Sequence, residues 1–252
     1  ENTIDPVRDI TTINLELILA DMESVQKRLD RAKNSAKGGD KKFIAEAEFL
    51  QKVLDHLGNE QCARTMALTD EEKEYMQNLF LLTSKPVIYA ANISEKDMGK
   101  ADAELPYVRK VEEFAAKEGS EVLVICAKTE EELSQLPADE AQMFLEELGL
   151  KESGLSRLIK KSYSLLGLIS YLTAGEKETR AWTIEKGTKA PQAAGKIHTD
   201  FEKGFIRAEV VDWQTLLECG SYNAAKEKGK VRSEGKDYVV KDGDVVLFRF
   251  NV

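Results

Sequence analysis

Two apolar stripes flank a break rich in lysine and glycine, and they constrain residues 11–60 of this 252-residue chain more than any other feature. Leu15, Ile18, Met22, Val25, Leu29 and Ala32 recur at spacings of three and four, and Phe43, Ala47, Leu50, Leu54 and Leu57 do the same. That period predicts two helices, each with one apolar seam. The break reads KNSAKGGDKK. Two helices of similar length joined by a tight glycine turn should fold back as an antiparallel coiled coil. The tip gathers Lys33, Lys37, Lys41 and Lys42 on an otherwise acidic part of the chain. Two readings stand for it, a solvated turn and a tip that touches phosphate.

After the hairpin the texture is that of an α/β sheet. Thr69 followed by Glu72 has the spacing of a capping box and predicts a helix from about Asp70 to Leu82, ended by Ser84-Lys85-Pro86. Val87–Ala91 and Glu121–Ala127 are continuous apolar runs, as expected of parallel strands buried on both faces. The segment ELPYVRKVEEFAAKEG between them is amphipathic and reads as the crossover helix. Thr129 and Glu132 are placed to cap the next helix, and DEAQMFLEELGL and GLSRLIKKSYSLL are further helix candidates. Strand–helix–strand–helix at these lengths predicts an open parallel α/β sheet, and two buried strands with no neighbours could not satisfy their backbone groups in an apolar setting.

From about Gly167 onward the pattern changes again. LISYLTAG, TRAWTI, FIRAEVV, DYVV and VVLFRF are short β-branched and aromatic runs separated by glycine-bearing turns, with one helix around Asp212–Glu218. This predicts a small mixed-sheet α+β domain of the ubiquitin-like β-grasp type.

Composition and cysteine spacing argue against several function classes. No run of 18 apolar residues exists, so no transmembrane helix is expected, and ENTIDPVRDI lacks the pattern of a signal peptide. Cys62, Cys126 and Cys219 are too far apart to frame a metal site or disulfides, which suits a cytoplasmic protein. A net charge of −9 argues against a generally basic nucleic-acid binder, DNA included. The charge is uneven: residues 167–252 hold 14 Lys and Arg against 13 Asp and Glu, so the acidity lies in the rest.

The chemistry concentrates where the two apolar strands end, in AANISEKD and ICAKTE. Ligands of open α/β sheets bind beyond the carboxyl ends of the strands. An Asn side chain both donates and accepts, so Asn92 can match a purine edge. An acidic group three residues after such an Asn suits the paired N–H donors of guanine, and here that position is Glu95, with Ile93 following the Asn directly. Ala127-Lys128, at the end of the next strand, lies where backbone and side chain can flank a base. A polar loop after a core strand is the plainer alternative. Lys196, His198 and Asp200 could face RNA or form a structural turn. Trp182 and Trp213 could stack on bases or fill the core, and His56 reads as a helix-end residue.

The order of these pieces resembles the YchF/Obg-like ATPase family. It runs from Asp5-Pro6-Val7-Arg8-Asp9 through the heptad hairpin, NISEKD and CAKTE. It ends with TAGEKETRAWTIEKGTKAPQAAGKIHTDFEKGFIRAEVV and GDVVLFRF. The resemblance covers essentially the whole chain and is most specific over Thr173–Val211. It implies an α/β P-loop G-domain sheet, here partial, in residues 1–10 and 70–166. An inserted antiparallel α-helical coiled coil would occupy 11–69 and a C-terminal β-grasp (TGS) domain 167–252. It implies ATP, with GTP less favoured, bound with Mg²⁺, together with a ribosome or RNA partner. Carried over by position, Asn92 and the Ile93 backbone would meet the adenine edge. Glu95 would replace the guanine-selecting Asp, and Ala127 and Lys128 would flank the base.

No Gly-x-x-x-x-Gly-Lys-Ser/Thr loop occurs in the sequence; APQAAGKIH lacks both the first glycine and the hydroxyl. The loop that cradles phosphates, the Mg²⁺ ligands and the switch segments are therefore expected upstream of Glu1 in the family. No catalytic residue is assigned here, and the chain alone is expected to be inactive. A non-catalytic RNA- or protein-binding scaffold is the rival expectation.

Overall fold

The computed structural model describes residues 3–101, 104–175 and 178–251. The chain divides into two compact units, residues 1–158 and 159–252.

The first unit begins with α1 (Pro6–Ala36) and α2 (Lys41–Gly58). Pro6 sits in the first turn of α1, where its missing N–H costs nothing, and the Asp5 carboxylate caps the turn by accepting from the Arg8 N–H. Asp40 caps α2 by accepting from the Lys42 N–H at 2.9 Å. Gly39, with φ +81°, makes the reversal that a side chain would resist. Ile18, Val25 and Leu29 of α1 bury against Leu50, Leu54 and Leu57 of α2, as the heptads predict. Phe49 and Val53 join them, so the buried face of α2 is wider than a two-position seam. Arg28–Glu46 at 3.0 Å and Lys33–Gln51 at 3.1 Å link the two helices along the surface.

α3 (Asp70–Gln77) opens with the full capping box between Thr69 and Glu72. It stops short of Leu82 because the following segment is held elsewhere. The buried Asp21 carboxylate on α1 accepts from the Leu82 and Thr83 N–H groups, each at 2.8 Å, and from the Thr83 hydroxyl at 2.7 Å. A charge-assisted tertiary cluster thus overrides local helix propensity.

β1 (Ile88–Asn92) and β2 (Glu121–Ile125) pair in parallel, Asn92 opposite Ile125, with α4 (Pro106–Glu118) as the crossover. The expectation of strands buried on both faces does not hold among the described residues. The sheet has two strands, and of them only Leu123 is fully buried. Two-strand pairing leaves an open edge on each strand, so apolar sequence here exceeds apolar cover. α5 (Ala127–Ser134), α6 (Ala138–Glu147) and α7 (Gly154–Leu165) follow. Thr129 is not a cap: α5 starts at Ala127, and Thr129 is buried within it with its hydroxyl directed at Met98 Sδ, 3.1 Å away. Glu130 caps α7 instead, accepting from the Gly154 and Leu155 N–H groups.

The second unit is a mixed sheet of β3 (Leu168–Ala174), β4 (Thr179–Glu185), β5 (Phe205–Asp212), β6 (Arg232–Glu234) and β7 (Asp244–Phe250). Their order is β4-β3-β7-β5-β6; β3 and β7 run parallel and the other pairs antiparallel. α8 (Ala190–Ile197) packs Ala190, Ala193 and Ala194 on one face, where the fully buried Tyr171 donates to the Ala193 carbonyl at 2.9 Å. α10 (Trp213–Cys219) and α11 (Tyr222–Glu227) cover Val211 and Val245 on the other face. With α9 (Thr199–Lys203), the described residues after Gly167 hold four helices rather than the one expected. Each has eight residues or fewer, too short to imprint a helical period. DYVV forms no strand, only a bridge from Val239 to Lys189.

Candidate functional site

Strands β1 and β2 end side by side, and the polar residues beyond them meet. The Asn92 Oδ1 accepts from the Ala127 N–H at 3.0 Å, which spans the two strand ends. A backbone N–H can only donate, so the bond fixes which side of the Asn92 amide is oxygen and leaves the Nδ2 donors outward. The Ile93 N–H donates to the Ile125 carbonyl at 2.8 Å, extending the ladder by one residue. The Ile93 carbonyl accepts from no described residue. Glu95, in a single turn at Glu95–Asp97, takes Lys128 at 2.9 and 3.0 Å through both carboxylate oxygens. Lys128 is 65% and Glu95 46% exposed, and the hydrogen bond to Glu95 raises the Lys128 pKa. The five residues singled out in the sequence are therefore close together. The sequence did not indicate that Glu95 and Lys128 neutralise each other.

A cavity of about 810 Å³ runs beside this corner, lined by Tyr89, Asn92, Ile93, Ser94, Asp97 and Leu105 among others. Its size is that of a small-molecule pocket. Asn92 and Ile93 line it; Glu95, Ala127 and Lys128 do not.

Behind the corner lies a cluster with no local signal in the sequence. Arg64 donates to Glu118 at 3.1 Å, to the Tyr89 hydroxyl at 3.3 Å and to the Asn14 side chain at 3.3 Å. The Tyr89 hydroxyl donates in turn to Glu118. The Arg64 and Glu118 side chains are 7% and 10% exposed. Burial and the bond to Glu118 push the Tyr89 pKa up. Tyr89 precedes Asn92 by three residues, so the strand that delivers Asn92 is anchored to α1 and α4. Arg64 and Glu118 are 54 positions apart, beyond the reach of any periodic pattern.

The lysines assigned to RNA lie in two places. Lys37, Lys41 and Lys42 are exposed at the hairpin tip, while Lys33 is turned along the hairpin to Gln51. Lys196 is exposed in the last turn of α8. His198 caps α9, its Nδ1 accepting from the Asp200 N–H at 3.2 Å, with its side chain 60% exposed. In the same stretch Gly195 lies against Glu202, and a Cβ there would come 2.2 Å from Glu202 Oε2, so the carboxylate end would have to swing aside. Trp182 packs beside the core of the second unit, its N–H donating to Thr173 and Arg180 lying over its ring. His56 bonds the turn at Cys62–Thr65, as a helix-end residue would. Among the described residues no three His, Cys, Asp or Glu side chains converge on a metal position, and no helix is long and apolar enough to cross a membrane.

Comparison with known proteins places this architecture. The family YchF-GTPase_C, described as "Protein of unknown function (DUF933)", matches residues 168–251. The ribosome-binding ATPase YchF of Bacillus subtilis is 55% identical over 99% of the chain, and that of Escherichia coli O157:H7 is 48% identical over the same share. The chain spans 68% of the length of each. Obg-like ATPase 1 of Gallus gallus is 42% identical over the whole chain. The YchF GTPase of Schizosaccharomyces pombe superposes with a TM-score of 0.85 at 35% identity, covering 99% of this chain and 67% of that one. On this sequence identity, coverage and shared fold, the chain belongs to the YchF/Obg-like ATPase family.

Proposed function

We propose that the chain carries the adenine-reading corner of a cytoplasmic, ribosome-associated ATPase that binds and hydrolyses ATP, and GTP less well, as a switch in translation. The observation that carries this reading is the Asn92–Ala127 bond across the ends of the two parallel strands. It presents the Asn92 Nδ2 donors to the ring-nitrogen acceptors of adenine. The Ile93 carbonyl is free to accept from the 6-amino group, which guanine lacks. Glu95 occupies the position that would bind guanine's paired donors, but Lys128 already holds its carboxylate. Selection for adenine then comes as much from a carboxylate withheld as from contacts made. Ala127 and Lys128 flank the base.

The phosphate-binding and Mg²⁺-binding groups are assigned to the part of the family protein that these residues do not include, since the relatives are longer and no phosphate loop occurs here. Mg²⁺ would neutralise the phosphates there. Residues 1–10 and 70–166 are taken as G-domain, 11–69 as coiled coil and 167–252 as TGS domain. The ribosome or its RNA would be met by the tip lysines Lys33, Lys37, Lys41 and Lys42, and by Lys196 and His198. No membrane or DNA partner is proposed.

Titrating the chain with fluorescent ATP and GTP analogues tests the corner. Saturable binding near about millimolar, or roughly −4 kcal/mol, with the adenine analogue preferred, is expected. Equal binding of the two bases contradicts it. Complete absence of binding favours a scaffold of coiled coil and β-grasp module, a reading supported by the exposed lysines at the hairpin tip.

A further inference from the structure

Arg64 does more than neutralise Glu118. It sits in the single turn Ala63–Thr65, between α2 and α3, and its backbone is pinned there. The Arg64 N–H donates to the Thr83 carbonyl at 3.0 Å, and the Ala63 N–H donates to the Thr83 hydroxyl oxygen at 3.1 Å. Thr83 is itself held by Asp21 of α1. From this fixed base the guanidinium reaches three elements. Nε and Nη2 donate to Glu118 of α4 at 3.3 and 3.1 Å. Nη2 also donates to the Tyr89 hydroxyl of β1 and to Asn14 Oδ1 of α1, each at 3.3 Å.

A structural ion pair between Arg64 and Glu118 needs no hydroxyl beside it. A phenylalanine at position 89 would keep the ring in place, edge-on to Phe114 with centroids 5.9 Å apart. The Tyr89 hydroxyl adds a bond in each direction, accepting from Arg64 and donating to Glu118. It therefore fixes where the strand stands against the buried pair. Among the described residues β1 pairs with β2 alone, and none of its residues is fully buried. A two-stranded sheet is a weak support by itself. Asn92 lies three residues, about 10 Å, further along the strand. A displacement at Tyr89 passes along β1 to the Asn92–Ala127 bond and the Ile93 carbonyl. Hydrogen bonds weaken steeply with distance and angle, so a shift of a fraction of an ångström there changes which base fits.

We infer that Arg64 is a positioning residue for base selection, acting through the Tyr89 hydroxyl and strand β1 on Asn92 and Ile93, with Asn14 bringing α1 into the same setting. This rests on the adenine reading above and names what sets it. Arg64 is enclosed and lies outside the cavity lining, so it acts through the strand and not by touching the base. The specificity of the corner is then held by a residue that no base-contact pattern would indicate.

Tyr89→Phe is the decisive variant, because it removes one oxygen and leaves the ring. In titrations of the chain with fluorescent ATP and GTP analogues, its preference for ATP should fall about two- to tenfold, the range of one hydrogen bond. Arg64→Lys keeps the charge but cannot span Glu118, Tyr89 and Asn14 together, and it should give a similar fall. Asn14→Ala should give a smaller one. R64K/Y89F should fall no further than the larger single loss, since the two residues act as one unit. Leu29→Ala, in the hairpin core, is the control: it should destabilise the chain and leave the preference unchanged. An unaltered preference in Tyr89→Phe, additive losses in R64K/Y89F, or an equal loss in Leu29→Ala overturns the positioning role and spares the corner. A wild-type chain with no preference overturns the corner and, with it, any setting of its selectivity. A second readout needs no nucleotide. In nitrogen–proton spectra of the free chain, the Asn92 side-chain amide and the Ala127 backbone amide should shift in Tyr89→Phe and hold still in Leu29→Ala. Unmoved signals in Tyr89→Phe overturn the link from Arg64 to Asn92, whatever the base preference.

Discussion

The cluster around Tyr89 and the corner around Asn92 lie on one strand, three residues apart, yet water reaches them differently. Arg64 and Glu118 are almost entirely enclosed, whereas Lys128 and Glu95 are about half exposed or more. Both are charge pairs with N–O distances near 3 Å. Enclosure makes the first hard to disturb, because removing one partner strands a charge in a poor solvent. Exposure makes the second exchangeable, because water or a ligand can replace either partner at little cost. The strand thus has an enclosed end that sets geometry and an open end that water reaches.

That contrast can be broken by mutation. The largest effect is expected from Glu118→Ala, which leaves Arg64 buried with neutral partners only. It should lower unfolding stability by about 3–5 kcal/mol in urea titrations, and a loss under about 1 kcal/mol would mean the pair is wetter than its burial indicates. Asn92→Ala comes next. It should weaken adenine-nucleotide binding by about 1–3 kcal/mol, the cost of an unpaired polar group at the Ala127 N–H and the base edge. Unchanged affinity would remove Asn92 from the base corner. The smallest effect on stability is expected from Lys128→Ala, whose exposed ion pair is screened by water. It should instead release Glu95 and narrow the preference for ATP over GTP analogues, and an unaltered preference would show that Glu95 is not held back by Lys128.

How far the sequence revealed these features depended on the distance over which each signal acts. The hairpin was legible because Ile18, Val25, Leu29, Leu50 and Leu57 repeat a local period that maps directly onto burial. The capping box at Thr69 and the meeting of Asn92 with Ala127 were legible for related reasons. One is a three-residue spacing and the other follows from parallel strands ending together. Whatever depends on tertiary partners was not. Asp21 shortens α3 from 61 positions away, Arg64 finds Glu118 across 54, and Arg249 reaches Glu209 across 40. Thr129 looked like a cap because the true start of α5 is set by Ala127 bonding Asn92, not by a local side chain. The ion pair between Glu95 and Lys128 is the most consequential omission, since it joins two residues read separately in the sequence and leaves the Glu95 carboxylate already occupied.

The most direct test of the base-reading corner is nuclear magnetic resonance of the isotope-labelled chain during titration with ATP. The Asn92 side-chain amide and the backbone amides of Ile93 and Ala127 are expected to shift together and saturate, and ribose triphosphate lacking a base is expected to leave them unmoved. Shifts confined to the lysines of the hairpin tip, with the Asn92 amide stationary, would contradict it.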